Sequence, residues 1–438
     1  MTDYQYYFLC FLLYFLSTLL LKSLFKTKNP LNLSPSPPAL PIIGHLHLLG
    51  PSLFKSFHNI SNKYGPLLYL RFGASRCLVV STASIATEIF KTNGVNFSDR
   101  PPLAFSDKLP YGRYGFFIAP YGNYWKFIKK LCNSELLSAR QVEQSRDVRH
   151  EELTWFLRKV LESAERKQVL DIGAELMKLT NNSSCRVIMS MRCSDDNDEA
   201  ERIRQLVKES FEVGAKVSFG DVLGPLRFLA FWLYGRKAID VTLRYDEILE
   251  RVLKQHEERP QIENEDLVDI LLKVYQDDKA EFKISITHLK AFLLDLFVAG
   301  TGSSSEAIQW TIAELINHPY VFNKVREEIK FVVGSTRLVE ESDVQKCREA
   351  CKIKEFDIPE KTMVAINVYT IMRDGKTWDY PNDFRPERFM HSVFDWNVDG
   401  EGEYFKANMQ VGPGISMPMA HPFKCLPVVH FNPFASSK

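Results

Sequence analysis

Two groups of residues in this sequence have types and spacings that could do chemistry. In Tyr121-Gly122-Asn123-Tyr124-Trp125-Lys126-Phe127-Ile128-Lys129-Lys130 an indole N–H and an ammonium stand four residues apart. On a helix Trp125 and Lys129 therefore share a face, one turn apart, and a neutral donor beside a cation suits a propionate. As a bare pattern, the same pair is also common on solvated helix surfaces. The second group is Phe297-Val298-Ala299-Gly300-Thr301-Gly302-Ser303-Ser304-Ser305, small and hydroxyl-bearing side chains within a helical run from about Thr287 to Ile316. Glu306, one turn on from Gly302, is an acid whose expected place is solvent or a salt bridge.

The thiols give no such pattern. Eight cysteines (10, 77, 132, 185, 193, 347, 351 and 425) are scattered without a CxxC pair or a Cys/His cluster at zinc spacing. A disulfide framework and a zinc site are thus not indicated, a reducing, cytosol-facing compartment fits, and each thiol reads as a small buried hydrophobe. Pro418, Pro422 and Pro427 bracket Cys425 and forbid a helix after it, since each removes an amide donor. The net charge of +1 lacks the clustered basic face that a nucleic-acid partner would require. With 438 residues and 45% hydrophobic side chains, a large buried core is feasible.

The elements that must carry these groups follow an unusual amino terminus. Tyr4 to Leu21 is uncharged and rich in Leu, Phe and Tyr, which is long enough for one membrane span. Lys22, Lys26 and Lys28 follow it and Asp3 precedes it, placing the rest of the chain on the cytosolic side of an uncleaved anchor over 1–29. Prolines 35, 37, 38 and 41 then make residues 30–44 a stiff, non-helical hinge. Leu68 to Gly73 and Cys77 to Ser81 read as two short strands of a hairpin. Beyond Ala83 apolar residues recur at helical spacing in Ile85 to Phe90, Glu152 to Leu161, Ile203 to Phe211 and Leu267 to Val274. Asn264 to Asp269 opens the last of these with acids at the positive end of the helix dipole. Leu223 to Leu233, with Phe228, Phe231 and Trp232 around Pro225, is either a membrane-dipping surface or a core cluster joining helices.

In their order along the chain these segments resemble cytochrome P450 monooxygenases, and among them the plant microsomal enzymes of the flavonoid- and isoflavonoid-oxidising branch. The resemblance is carried by the proline hinge, Lys63-Tyr64-Gly65-Pro66-Leu67, the Trp125 and Ala299 segments, Trp310 to Pro319, Val325 to Ile329, Leu338 to Val344, Phe356 to Pro359 and Pro386-Glu387-Arg388-Phe389. It implies a mostly α fold with a small β region, spanning 45–438. It implies haem, its propionate held by Trp125 and Lys129 and its oxygen side crossed by a helix with Ala299 and Gly300, locally loosened to admit O2. The catalytic segment would be Thr301, Gly302 and Ser303, with Gly302 at the position of an acid and Ser303 at that of a threonine. The Ser303 hydroxyl would hydrogen-bond oxygen and hold a water, without the carboxylate that feeds protons from solvent. The resemblance also implies NADPH electrons through NADPH–cytochrome P450 reductase, a small apolar substrate and the endoplasmic reticulum membrane.

Departures from the family pattern fall at two places. After Val344 the family continues with a helix carrying E-x-x-R, where Gln345 here leads to Lys346-Cys347-Arg348; the matches at Glu143 to Arg146 and Glu199 to Arg202 lie upstream of the oxygen helix. Arg388 thereby loses the partners that the resemblance assigns to it. After Phe389 the family places its F-x-x-G-x-R-x-C-x-G loop and ligand helix, where this chain proceeds to Phe394-Asp395-Trp396 and then to Gly412 to Pro422. Cys425 belongs by position to a terminal hairpin, so no metal ligand is assigned. The chain is thus expected to be a haem-thiolate monooxygenase by family, incomplete in its carboxyl-terminal haem-binding part and without catalysis. The alternative is a membrane-anchored non-enzyme that binds an apolar ligand or a partner.

Overall fold

A computed structural model describes residues 34–334 except 51, 101–105, 193–196, 225–226, 260–264, 281 and some side chains, together with 337–340, 363–366, 394–398, 419 and 423–429. Within 1–33 it describes residues 7, 11, 14 and 17, which are helical and exposed, so the expected anchor otherwise lies outside the described residues. Among the described residues no helix is long and apolar enough to cross a membrane. The chain divides into two compact units.

The first unit comprises Met1–Ala104, Ser218–Trp232 and Ala350–Asp383. Its sheet is built from the hairpin read in the sequence: β1 (Leu67–Phe72) pairs antiparallel with β2 (Ser75–Val80), Leu67 opposite Val80. Alternation sorts their side chains onto two faces. Leu68, Leu70 and Val79 pack with Ile60 of α1 (Leu53–Tyr64), while Leu67, Leu78 and Val80 pack with Ile85 and Ala86 of α2 (Ala83–Thr87). A third strand, β4 (Met363–Ile366), runs parallel to β2. The described part of the proline segment is non-helical, turns at 41–43 and is tied to β1: Tyr69 N–H donates to Pro35 O at 3.0 Å and Gly44 bridges to Phe72.

The second unit comprises Phe105–Val217, Leu233–Glu349 and Phe384–Lys438. Its helices are α3 (Asn123–Glu135), α4 (Ala139–Gln144), α5 (Arg146–Glu165), α6 (Ile172–Met189), most of α7 (Asn197–Leu223) and α8 (Phe228–Glu258), α9 (Leu267–Gln276), α10 (Ile286–Asn317) and α11 (Pro319–Val332). A short β3 (Leu170–Asp171) pairs with β6 (Lys424–Val429), which pairs antiparallel with β5 (Phe394–Val398). The mostly α fold with a small β region is the one expected. Leu157 and Val160 of α5, Ile172 and Leu176 of α6, Ile312 and Ala313 of α10, and Phe423 and Cys425 form one buried core. Burial of such aliphatic side chains, worth roughly 1.5–3 kcal/mol each, locks α5, α6 and α10 to the terminal strand.

Helix ends explain themselves locally. Asp266 caps α9 in a box with Asp269, satisfying two amides that the helix leaves open. Ser285 caps α10, which then runs unbroken over Ile286–Asn317, close to the expected Thr287 to Ile316. The stretch around Leu223 to Leu233 presents Phe228, Leu229, Trp232 and Leu233 to solvent, so these four side chains do not form a core cluster.

Candidate active site

Helix α10 sorts its small-residue segment onto two faces. Thr301, Gly302 and Ser305 are buried, whereas Ser303 and Ser304 are exposed and Ala299 and Gly300 are intermediate. The buried face meets α6 through a polar clasp: Thr180 Oγ1 donates to Thr301 O at 2.6 Å, and Asn181 Nδ2 donates to Thr301 Oγ1 at 2.9 Å. The Thr301 hydroxyl itself donates back to Phe297 O at 2.7 Å. Gly300 lies against α6 at this approach: a Cβ there would stand 2.4 Å from Ser184 Oγ and oblige that side chain to shift. Gly302 sits under α7, where a Cβ would meet the Phe211 ring at 3.3 Å.

Three candidates that are adjacent in sequence therefore have different surroundings. Thr301 is a buried interhelical tie, Gly302 is a packing position, and Ser303 alone of the three offers a side chain to the open face. The Ser303 hydroxyl donates to Ala299 O at 2.8 Å, one turn back. Such bonds from Ser303 and Thr301 run within the turn, and the segment stays regular α-helix instead of loosening; with glycine at 302, no carboxylate competes for these hydroxyls. Glu306 is half-buried.

Trp125 and Lys129 share a helix face, as their spacing requires. Lys129 Nζ lies 4.8 Å from the centroid of the Trp125 ring, with Lys129 exposed and the indole Nε1 buried. Phe116 stacks on Trp125 at 5.5 Å and meets Phe292 of α10 edge-on at 6.2 Å. The loop carrying Phe116 is in turn held by Asp295 of α10, whose carboxylate accepts from the Phe117 amide at 3.1 Å and from that of Phe116. Burial pushes the Asp295 carboxyl up to about 6, against the opposing pull of those amides. Neither Phe116, Asp295, Thr180 nor Asn181 was singled out by the sequence. The polar run Thr180-Asn181-Asn182-Ser183-Ser184 inside a helix was the available signal.

The sulfur side is different. Cys425 is fully buried in β6, opposite Leu170 of β3 and Val398 of β5, and packed among Leu157, Val160, Ile172, Leu176, Ile312 and Ala313. Desolvation pushes its thiol up to about 12, far from the thiolate that ligates a metal. Cys77, Cys132 and Cys185 are also buried, and burial raises the Cys132 thiol as well. Among the described residues, Trp125, Lys129 and Ser303 have groups that would suit a haem's propionate and oxygen side, and the described cysteines are all buried. Cysteines 10, 193, 347 and 351, the segment after Gln345, Arg388 and the residues around Phe389 lie outside the described residues.

A separate cluster of His256, Asp266 and Asp269 has metal-like ligands close together. Its charges are already matched, however: His256 Nε2 lies 2.9 Å from Asp266, Arg259 bonds both acids, and both acids cap α9.

Comparison with known proteins places these features. The sequence profile described as Cytochrome P450 matches residues 34–348 and 344–393, so its match breaks at the first departure and stops at the second. Cytochrome P450 705A5 of Arabidopsis thaliana is 40% identical, over 90% of this chain and 91% of its own length. The 3,9-dihydroxypterocarpan 6A-monooxygenase of Glycine max is 35% identical over 94% and 96%, and its β-amyrin 24-hydroxylase 33% identical over 100% of both. The alignment with the last of these spans 514 positions against 438 residues here, so it contains positions at which this chain has no residue. With a 40% identical relative and a profile match across most of its length, this chain belongs to the cytochrome P450 family.

Proposed function

We propose that this chain is a P450 monooxygenase scaffold for a flavonoid- or isoflavonoid-type skeleton, anchored in the endoplasmic reticulum membrane, that does not turn its ligand over. Haem, bound through a cysteine thiolate, supplies O2 activation in the family, with electrons passed from NADPH by the partner reductase. The observation that carries the reading is the place of Cys425, whose thiol is part of the core between α5, α6 and α10. Trp125 and Lys129 would hold a propionate, Ala299 and Gly300 would lie against the ring, and Ser303 would hydrogen-bond an oxygen ligand and hold a water. Gly302 leaves that water without a carboxylate to relay protons from solvent. Thr301 orients the segment from behind through Asn181.

The substrate class is supported by the relative that is a 3,9-dihydroxypterocarpan 6A-monooxygenase. Exposed Phe228, Leu229, Trp232 and Leu233 support a membrane-dipping surface in addition to the anchor over 1–29 and the hinge over 30–44. The test is a reduced carbon-monoxide difference spectrum of the full chain in microsomes, with reductase, NADPH and an isoflavonoid supplied in parallel. The expected result is no red-shifted Soret band of thiolate-ligated haem, no product, and recovery of the chain in the membrane fraction. A red-shifted band that disappears in Cys425→Ser, accompanied by oxidised isoflavonoid, would sink the reading.

A further inference from the structure

The last turn of α8, the first turn of α9 and the residue that ends α6 meet around one imidazole. The His256 side chain is only 2% exposed, yet both of its ring nitrogens have polar partners. Nδ1 lies 2.8 Å from Val252 O and Nε2 lies 2.9 Å from Asp266 Oδ2. A backbone carbonyl only accepts, and so does an ionised carboxylate, so each nitrogen has to donate. A neutral ring has a single N–H and would leave one of these contacts as two lone pairs face to face. The geometry therefore calls for the doubly protonated ring.

Asp266 is ionised for reasons of its own. Burial opposes its charge, but it accepts from His256, from the Ser190 hydroxyl and from Asp269 N–H, and these bonds hold its carboxyl well below the usual carboxylate range. Arg259 Nη2 adds a bond at 3.1 Å and also pairs with Asp269. The cluster thus holds two carboxylates and one guanidinium, and an imidazolium restores neutrality. Among the described residues, charged groups on the adjoining elements are engaged with one another: Lys254 with Glu258 on α8, Glu265 with Lys273 beside α9, and Arg186 and Arg192 with Glu152 beyond the end of α6. Burial also works against the His256 charge, but the bonds to Asp266 and Val252 O outweigh it even with Arg259 opposing, so the ring keeps its proton above the ordinary histidine value. Ser190 has a left-handed backbone, φ 52°, which is costly for a residue with a Cβ, and its hydroxyl ties that end of α6 to Asp266.

We propose that His256 is a proton-operated latch joining α8, α9 and the end of α6. In its charged form the ring donates to both acceptors and the latch is closed. Loss of one proton to solvent sets an acceptor against an acceptor, leaves Asp266 to Arg259 alone among these cations, and loosens the cap at the start of α9. Because the folded ring holds its proton more tightly than the unfolded one, the latch is fully closed below the unfolded value of 6.5 and opens as pH rises through the higher folded value. Ser190 follows Ser184 by less than two turns, so the latch anchors the half of α6 that meets Gly300 and Thr301 of α10.

Ring-nitrogen magnetic resonance shifts of the full chain carrying isotope-labelled histidine test the charge, with the His256 ring assigned by its loss in His256→Gln. Both His256 nitrogens are expected at imidazolium positions at pH 7, moving only at higher pH. Amide hydrogen exchange tests the latch itself. Protection of Asp269 and Ile270, whose N–H groups bond to Asp266, should fall by about tenfold between pH 6.5 and 9 after correction for intrinsic exchange, and by less than about twofold in His256→Gln. A neutral His256 tautomer at pH 7, constant protection in the unaltered chain, or the same loss in His256→Gln would overturn the latch. If His256→Gln does not fold, Asp266→Asn takes its place: it should lower the titration midpoint of one ring by about one pH unit or more, and the lack of any such ring would equally overturn the latch.

Discussion

One helix, α6, meets both the small-residue segment of α10 and the strand that carries Cys425, and it treats them in opposite ways. Its carboxyl-terminal half, through Thr180, Asn181 and Ser184, grips the back of α10 and leaves Ser303 on the open face. Its amino-terminal half, through Ile172 and Leu176, helps to enclose Cys425, and Ile172 N–H donates to Phe423 O at 2.9 Å. Ser303 stays on the open face because the helix turns Thr301 and not Ser303 towards α6, whereas the thiol is unavailable because its neighbours are apolar. Proximity to a chemically promising motif thus says little until burial is known.

The widest gap that this contrast predicts is kinetic. Alkylation of Cys425, followed by mass spectrometry of its peptide, should be slower in the native chain than in urea by at least about a thousandfold, since the strand must open first. Rates within tenfold would erase the contrast.

Next in size is the buried acid of α10. Because the Asp295 carboxyl is raised from 3.8 to about 6, the folded chain holds more protons than the unfolded one between those values. Stability from this group therefore falls as pH rises from about 4 through 6, by up to about 3 kcal/mol. Asp295→Asn should flatten that slope in urea titrations run from pH 4 to 7; an unchanged slope would remove Asp295 as its source.

Thr301→Val and Ser303→Ala sharpen the comparison within a single turn. Thr301→Val strips the buried Asn181 amide of its acceptor and should cost about 1–3 kcal/mol. Ser303→Ala removes an exposed hydroxyl that only back-bonds its own helix, and should change stability by less than about 0.5 kcal/mol. Equal costs in urea unfolding would show that the two faces of α10 are not distinct.

How much of this was legible in the sequence depended on whether local or distant contacts decide the outcome. Strands β1 and β2 fall within about two residues of the expected spans, because alternation and the Gly73 turn are local signals, and the α10 limits lie one residue outside theirs. Trp125 and Lys129 meet because helical spacing alone brings them together. The roles of Thr301, Gly302 and Ser303 were not legible, since partners on α6 and α7, more than a hundred residues away in the case of Asn181, decide which of them is exposed. The exposure of Phe228 and Trp232 was undecided for the same reason: composition alone does not say which apolar cluster finds a partner.

The hairpin of β5 and β6 has a last consequence, for repair. Its register runs from Phe394 opposite Val429 to Val398 opposite Cys425, so all of it lies downstream of the position where the family inserts its iron-binding loop. An engineer who spliced such a loop in after Phe389 would insert no residue between any two rungs of that ladder. Such a graft would supply a cysteine from outside the core and leave Cys425 where it is, with Gly302 and the departure after Val344 still to be answered.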